Sequence, residues 1–153
     1  MTRITVSGHP GSGTSTLVKA LIERFGWTAL NGGDVFRNEA ARRGMSLQEF
    51  GELCKQDLEV DRNLDKLLQE KMLEDSADIV ESRLAGWWAY RLKIPCVRLW
   101  LEVDEDERAR RVSGREGISI EKALQENKKR SAVDAERFME LYQLLPEQRE
   151  PYT

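Results

Sequence analysis

The sequence predicts an α/β fold, a parallel sheet with helices packed on both of its faces. Short runs of β-branched and apolar residues alternate along the chain with segments whose apolar residues recur at helical spacing, which is typical of consecutive strand–helix units. A glycine-rich turn joins the first of these strands directly to the first helix. The length of 153 residues favours one domain over two, and we expect residues 1–153 to form it.

The N-terminal strand–helix unit has the clearest pattern. Ile4–Ser7 alternates in polarity and is rich in β-branched residues, which predicts a strand. Gly8–Gly13 predicts a tight loop, and Gly26 is placed to end the helix that begins at Thr14. A short strand is predicted around Trp27–Leu30. The apolar residues that give this helix its amphipathic spacing are Leu17, Leu21, Ile22 and Phe25.

A mostly helical region is predicted from residue 34 to about residue 75. Asn31–Gly33, just before it, has the composition of a turn. Gly44 breaks the first helix of the region, and Ser46 with Glu49 has the spacing of a capping box that starts the next helix. A longer helix follows, with apolar residues at Leu64, Leu67, Leu68 and Met72.

Two more strands are predicted in the second half of the chain. Asp78–Glu81 and Val97–Val103 are short apolar runs of the kind that form buried strands. Trp87 and Trp88 lie between them, on a connection that ends at Pro95. These tryptophans could stack on a base, but buried aromatic residues are more often part of the core.

Composition restricts the class of protein. The net charge of −3 argues against a general nucleic-acid binder, which usually carries a basic surface, but it allows a locally positive pocket for small anions. The two cysteines, Cys54 and Cys96, have no metal-ligand spacing and indicate a reducing compartment. Because no apolar run approaches the ~20 residues of a membrane span and no secretory leader is visible, we expect a cytoplasmic protein without a membrane partner.

The loop after the first strand has the pattern of a phosphate-binding loop. Gly8-His9-Pro10-Gly11-Ser12-Gly13-Thr14-Ser15 fits G-x-x-x-x-G-K-[ST] except that threonine occupies the lysine position. Glycines let successive N–H groups point at a phosphate, and the helix N-terminus that follows, including Thr16, adds its partial positive charge. Ser15 is placed to ligate Mg²⁺. Either an arginine supplies the missing charge of the lysine, or catalysis is weak or absent.

Further motifs resemble those of the archaeal-type cytidylate kinases, a branch of the P-loop nucleoside-monophosphate kinases. The resemblance extends over nearly the whole chain, to about Tyr142. Threonine is common at the P-loop lysine position of that branch. The matching segments are 7–16, 33–37, 43–50, 81–87 and 115–117, which read SGHPGSGTST, GDVFR, RGMSLQEF, ESRLAGW and REG.

The resemblance implies a P-loop NTPase fold that transfers the γ-phosphoryl group of ATP to CMP, or to dCMP, with Mg²⁺. It implies a core sheet, a helical monophosphate-binding region at about 34–75 and an arginine-rich lid at about 108–138. Two alternatives stay open: a kinase of another nucleoside monophosphate or small acceptor, and a non-catalytic nucleotide-binding protein. The expected partners are small nucleotides, and the sequence does not indicate an oligomeric state.

Four residues outside the loop are assigned to the acceptor and the metal. Arg37 matches a family arginine and is expected to hold the acceptor phosphate through a forked contact. Arg83 follows a strand at the carboxyl edge of the sheet, where such sheets bind ligands, and is read as a second phosphate contact. Glu81 resembles the acidic residue that holds Mg²⁺ through water, although a structural carboxylate is the competing interpretation. Asp34 is a weaker candidate for the acceptor site, because it is equally placed to cap a helix.

The charged C-terminal third predicts two helices separated by a break at Gly114–Gly117. Arg111 and Arg115 are four residues apart, and therefore lie on one face beside that break. Arg108 and Arg110 are expected instead to be solvent-exposed partners of Glu105 or Glu107.

The segment 130–137 resembles the R-D-x-x-D-x-x-R segment of cytidylate kinases, with Ser131 in place of its first aspartate. Arg130, Asp134 and Arg137 recur near the helical period, so they can face the site together. Asp134 is assigned to the acceptor, and the catalytic residues are expected among Arg111, Arg115, Arg130 and Arg137, because lid closure can bring arginines to the transferring phosphate.

Two features depart from the family pattern. Family members usually continue with a strand that helps hold the adenine and with a closing helix, and we expect no counterpart of these in Leu145–Thr153. Leu84 stands where bacterial cytidylate kinases place a base-reading aspartate, so the residue that would select cytosine is not identified from the sequence.

Overall fold

The computed structural model describes residues 1–74 and 77–153, and the four strands found there form one parallel sheet. They are β1 (Ile4–Gly8), β2 (Ala29–Asn31), β3 (Ile79–Glu81) and β4 (Val97–Leu101), in the spatial order β2-β3-β1-β4. All three pairings are parallel, and Val6 on β1 lies between Glu81 and Leu99. The α/β fold class predicted from the sequence is confirmed.

Helices cover the sheet on both faces. Because neighbouring side chains of a strand point to opposite faces, Ile79 packs with Val18 of the first helix while Val80 packs with Leu68 and Phe138 on the other side. No helix in the described ranges is long and apolar enough to cross a membrane. The helices are α1 (Thr14–Phe25), α2 (Gly32–Arg42), α3 (Leu47–Gln56), α4 (Leu58–Leu73), α5 (Ala85–Arg91), α6 (Glu105–Glu116) and α7 (Ile120–Tyr142).

Helix ends with a strong local signal are where the sequence predicts them. Gly26 ends α1 in the left-handed conformation, with φ of 67°. Ser46 caps α3 through both hydrogen bonds of a capping box with Glu49. The end of the predicted helical region at residue 75 lies outside the described residues.

The predicted turn at Asn31–Gly33 is wrong. Asn31 is the last residue of β2, and its side-chain oxygen accepts a hydrogen bond of 2.7 Å from the backbone N–H of Asp34. It therefore caps α2, and Gly32 and Gly33 form the first turn of that helix. Asparagine is favoured at turns and at helix N-caps for the same reason, a side chain that bonds nearby backbone N–H groups.

The connection predicted to carry Trp87 and Trp88 contains a helix, α5. Both tryptophans are buried in the core, as the more common behaviour of such residues suggests. The indole N–H of Trp87 donates to the carbonyl oxygen of Leu145 at 2.9 Å. A helix of seven residues is too short to produce a clear apolar period, which explains why the sequence did not reveal it.

Two elements, α6 and β4, end at residues other than those predicted. α6 continues through Gly114 and ends only at Gly117, which has φ of 68°, because an isolated glycine is tolerated inside a helix at about 1 kcal/mol. β4 ends at Leu101 rather than Val103. The carbonyl oxygen of Val103 accepts instead from Arg108 Nε at 3.1 Å, so the chain has already left the sheet.

Residues 143–153 contain no helix or strand, as expected, but they pack on the outer edge of β4. The backbone N–H of Thr153 donates to the carbonyl oxygen of Arg98 at 2.9 Å, and its hydroxyl accepts from the Arg98 N–H. The Tyr152 ring lies so close to Gly86 that a Cβ there would be 2.5 Å from it. This segment therefore covers the edge that β4 would otherwise expose.

Candidate active site

The glycine-rich loop leaves the carboxyl end of β1 and enters α1. Gly11 and Gly13 adopt φ of 81° and 91°, a conformation that favours glycine because a Cβ would be strained. A Cβ on Gly11 would also be 2.9 Å from the carbonyl oxygen of Arg108. The loop is thus held against α6, and it leads into the N-terminus of α1, where free backbone N–H groups could bind an anion.

The side chain of His9 turns away from this space. Its imidazole packs edge-to-face against Trp100, with 4.9 Å between the ring centres, and lies 3.9 Å from a carboxylate oxygen of Glu147. Burial lowers the pKa of His9 from its ordinary value, and this outweighs the opposing effect of Glu147. The His9 side chain therefore belongs to the packing of the loop, and a ligand contact of His9, like that of Pro10, would have to come from the backbone.

Ser15 and Glu81 come together at the edge of the sheet. The Ser15 hydroxyl donates to Glu81 Oε2 at 2.9 Å. These two oxygen groups fit Mg²⁺, which binds through one or two protein oxygens and completes its shell with phosphate oxygens and water. Within residues 1–74 and 77–153 no group of three or more histidine, cysteine or acidic side chains is arranged to hold a metal by itself.

Arg111 lies against the phosphate loop, in which Thr14 replaces the usual lysine. Its Nη1 donates to the carbonyl oxygen of Ser12 at 3.2 Å, and Nε contacts Glu107 at 3.4 Å. Nη1 would also be 3.2 Å from a Cβ placed on Gly13. A guanidinium charge therefore lies beside the phosphate loop, although Thr14 carries none.

The expectation that Arg108 is a solvent-exposed ion-pair residue is wrong. Arg108 is buried, and its guanidinium donates to the carbonyl oxygens of Val103 and Pro10 at 3.1 and 3.4 Å. It stabilises the loop from the side of α6, because buried carbonyl groups need a hydrogen-bond donor. Arg110 behaves as expected and pairs on the surface with Glu107 at 2.9 Å.

On the other side of the loop, Arg83 joins three parts of the chain. It lies just after β3; its Nε donates to Asp134 Oδ2 on α7 at 2.9 Å and its Nη1 to the carbonyl oxygen of Gly8 at 3.2 Å. Asp134 also lies 3.7 Å from Arg137, which in turn reaches Asp61 on α4 at 3.4 Å. The end of β3, the loop, α4 and α7 therefore share one network of charges.

The remaining predicted residues occupy different surroundings. Arg37 pairs with Asp34 at 2.6 Å in the first turn of α2, where both side chains are about half exposed. Asp34 does not cap this helix, since Asn31 does. Arg130 lines the same cleft as Arg37 and Arg83. Arg115 is not among the described residues lining it; its exposed side chain pairs with Glu116.

One cleft of about 840 Å³ contains most of these groups. Gly8, Thr14, Ser15 and Glu81 line one end of it, and Arg37, Arg83, Arg130 and Arg137 line the remainder. Its apolar lining includes Cys54, Leu58, Leu64, Leu68, Val133 and Phe138. A cleft of this size is in the range of small-molecule sites.

Comparisons with known proteins identify the family. A family model described as "AAA domain" matches residues 7–129. A cytidylate kinase of Archaeoglobus fulgidus is 34% identical over 142 residues, covering 93% of this chain and 77% of that protein. A cytidylate kinase of Thermococcus sibiricus is 41% identical over 139 residues, covering 91% of this chain and 70% of the relative. The chain belongs to the cytidylate kinase family.

A solved structure agrees on the fold. Shikimate kinase from Bacteroides thetaiotaomicron matches with a TM-score of 0.57 at 16% identity, covering 98% of this chain and 90% of that chain. At that identity the likeness concerns the fold alone.

Two carboxylates in the cleft of this cytidylate kinase family member were not predicted from the sequence. Asp61 and Asp65 are one turn apart on α4, on the side that carries Leu64 and Leu68, and both line the cleft. Asp65 accepts a hydrogen bond from the Tyr142 hydroxyl. The signal was present in the sequence, since acidic residues at helical spacing within an apolar stripe are rarely buried without a role.

Burial makes Asp65 a source of pH-dependent stability. Burial raises its pKa from 3.8 to about 6, against the lowering effects of the Tyr142 hydroxyl and of Arg137. The folded state therefore holds this proton more tightly than the unfolded chain, so the contribution of Asp65 is most favourable below about pH 4 and is lost as the pH rises towards 6.

We expect Asp65→Asn to raise the free energy of unfolding at pH 7.5 by up to about 3 kcal/mol, since the amide needs no ionisation and can still accept from Tyr142. At pH 4 the variant and the wild type should be nearly equal. Urea denaturation at the two pH values measures the difference. A stability difference that is the same at both would contradict the assignment.

Proposed function

We propose that the chain transfers the γ-phosphoryl group of ATP to CMP, or to dCMP, and releases ADP and CDP. The observation that carries the proposal is the continuity of the cleft, which runs from Ser15 in the loop to Arg37 and Arg83. Donor and acceptor phosphates bound at its two parts would meet in one continuous space. Phosphoryl transfer depends mainly on such positioning and on neutralisation of charge.

On the donor side, the loop Gly8–Ser15 and the first turn of α1 with Thr16 would hold the phosphates of ATP through backbone N–H groups. Ser15 and Glu81 would hold Mg²⁺, which when bound supplies positive charge to the β- and γ-phosphates. Arg111 would supply charge from the opposite side of the loop. Its present contact with the Ser12 carbonyl oxygen keeps the guanidinium within reach of that position.

On the acceptor side, Arg37 and Arg83 would bind the phosphate of CMP, with Asp34 and Asp134 orienting them through the ion pairs described above. A guanidinium suits this task because it offers paired N–H groups to two phosphate oxygens. Arg130 and Arg137 would approach the transferring group from α7. Arg115 would join them only if the lid moves, since its side chain points to solvent.

Residues 1–153 would then act as one kinase domain, with the acceptor region at about 34–75 and the lid at about 108–138. α6 and α7 pack together through Ala109, Val112 and Ala123, so the two helices of the lid would move together, about the contact of Arg108 with the loop. Closure of such a lid excludes water, which prevents hydrolysis of ATP.

A coupled assay of ADP formation tests the proposal with CMP, dCMP, UMP, AMP and GMP as acceptors. We expect the highest kcat/KM with CMP or dCMP, and values at least about tenfold lower with the other three. A better rate with a different acceptor would replace CMP in the proposal. Binding of ATP without turnover of any acceptor would contradict the proposal of a kinase.

A further inference from the structure

The carboxylate of Asp61 has a free acceptor atom in the wall of the cleft. The side chain is 8% exposed, and among the described residues no donor makes a hydrogen bond to its Oδ2 atom. Arg137 provides charge but poor geometry, with Nε at 3.4 Å from Oδ2 and Nη1 at 3.5 Å from Oδ1. A buried acceptor without a donor costs about 1–3 kcal/mol, more when it is charged, so a ligand that supplies the donor would be bound strongly.

The surroundings of Asp61 suit the flat base of a nucleotide. Leu58 and Leu64, which precede and follow it on α4, line the cleft, and Val133 and Phe138 line it from α7. Apolar walls of this kind bind the faces of a base, while a few polar groups bind its edge. The acceptor's phosphate has a separate place at Arg83.

We propose that Asp61 reads the acceptor base by accepting a hydrogen bond from its exocyclic amino group, the 4-amino group of cytosine. This inference rests on the proposed function, because it assumes that a nucleoside monophosphate enters the cleft. Carboxylates are the usual partners of the cytosine amino group. Uracil has a carbonyl oxygen at the same position, and this would face the carboxylate with lone pairs and leave both groups unpaired.

Two acidic groups near Asp61 already have partners, and the cleft-lining Glu136 and Glu140 are exposed to solvent. Asp65 accepts from the Tyr142 hydroxyl, and Asp134 accepts from Arg83 while also contacting Arg137. Burial raises the pKa of Asp61, and the nearby Arg137 guanidinium opposes that rise. The Arg137 charge therefore favours the ionised form of Asp61, which is the form that accepts hydrogen bonds.

Asp61 distinguishes cytosine from uracil but not from adenine, since adenine also presents an amino group beside a ring-nitrogen acceptor. Exclusion of AMP would have to come from the size of the cleft. The decisive comparison is therefore between CMP and UMP, which differ only along this edge: cytosine has a 4-amino group and an acceptor N3, and uracil has a 4-carbonyl oxygen and an N3–H donor.

The test compares kcat/KM for CMP and UMP in the wild type and in Asp61→Asn, which keeps the shape of the side chain. An amide can donate to the uracil oxygen and is a weaker, uncharged acceptor for the cytosine amino group. We expect the ratio of kcat/KM for CMP to that for UMP to fall roughly 100-fold. Asp65→Asn is the matched control on the same helix, and its ratio should stay within about threefold of the wild type.

Equal losses for CMP and UMP in Asp61→Asn would show a merely structural role and overturn the inference, as would the same change of ratio in Asp65→Asn. Calorimetric titration with CMP and UMP alone gives a second readout that needs no turnover, and the affinity for CMP should fall while that for UMP does not. If the wild type turns over CMP but its preference survives the substitution, only this inference fails. If the wild type does not turn over CMP, the proposed function fails first.

Discussion

Arg83→Ala is expected to lower kcat/KM for CMP by about 100- to 1,000-fold, a loss of the size produced by removing one hydrogen-bonding group from an active site. Arg83 lies at the carboxyl end of β3 and bonds both the Gly8 carbonyl oxygen and Asp134. Its removal would take away the acceptor's phosphate contact and would also leave Asp134 with Arg137 as its remaining basic partner among the described residues. ATP affinity should change much less, because the loop binds ATP through its backbone.

The variant Arg83→Lys sharpens this prediction. Lysine keeps the charge but cannot bond the Gly8 carbonyl oxygen, Asp134 and a phosphate at once, so we expect it to recover only part of the loss. Arg110→Ala serves as the control, since Arg110 is exposed and pairs with Glu107 on the surface. Near-normal kcat/KM for CMP in Arg83→Ala would remove Arg83 from the acceptor site.

Arg111→Ala is expected to lower kcat by about 1,000-fold, the lower end of the effect of an arginine that stabilises the transferring phosphoryl group. The reason is that Arg111 Nη1 lies beside Ser12 and Gly13, next to the position where other phosphate loops carry a lysine. Rapid-quench measurement of a single turnover would separate this effect from product release.

Thr14→Lys in the Arg111→Ala background tests whether one charge can replace the other. If the guanidinium of Arg111 takes the place of the missing lysine, the double variant should regain at least about tenfold of the lost kcat. A double variant no better than Arg111→Ala, or an Arg111→Ala enzyme with normal kcat, would contradict that compensation. The Arg110→Ala control applies here as well, one residue away on α6.

The parts of the fold that the sequence predicted are those whose signals are local. The strand, loop and helix at residues 4–25 follow from alternation, glycine spacing and apolar period within a few residues of each other. The end of α1 at Gly26 and the start of α3 at the Ser46 capping box are likewise predicted from neighbouring residues. Asn31 shows where local signals fail. Asparagine is favoured both in turns and at helix N-caps, so the sequence alone does not distinguish the two.

The parts that could not be predicted depend on packing between distant segments. Arg108 looked like any arginine of a charged helix, and only the approach of α6 to the loop buries it against the carbonyl oxygen of Pro10. The joining of Arg83 to Asp134 likewise depends on how α7 crosses the end of β3. Asp61 had a visible spacing, but its free acceptor atom is a property of the assembled cleft.

The most direct test of the central claim is to identify the products of one reaction. After incubation with ATP, Mg²⁺ and CMP, anion-exchange separation of the nucleotides should show CDP and ADP in equal amounts and no inorganic phosphate. Formation of ADP with inorganic phosphate and without CDP would contradict the claim that this cleft brings the phosphates of ATP and CMP together.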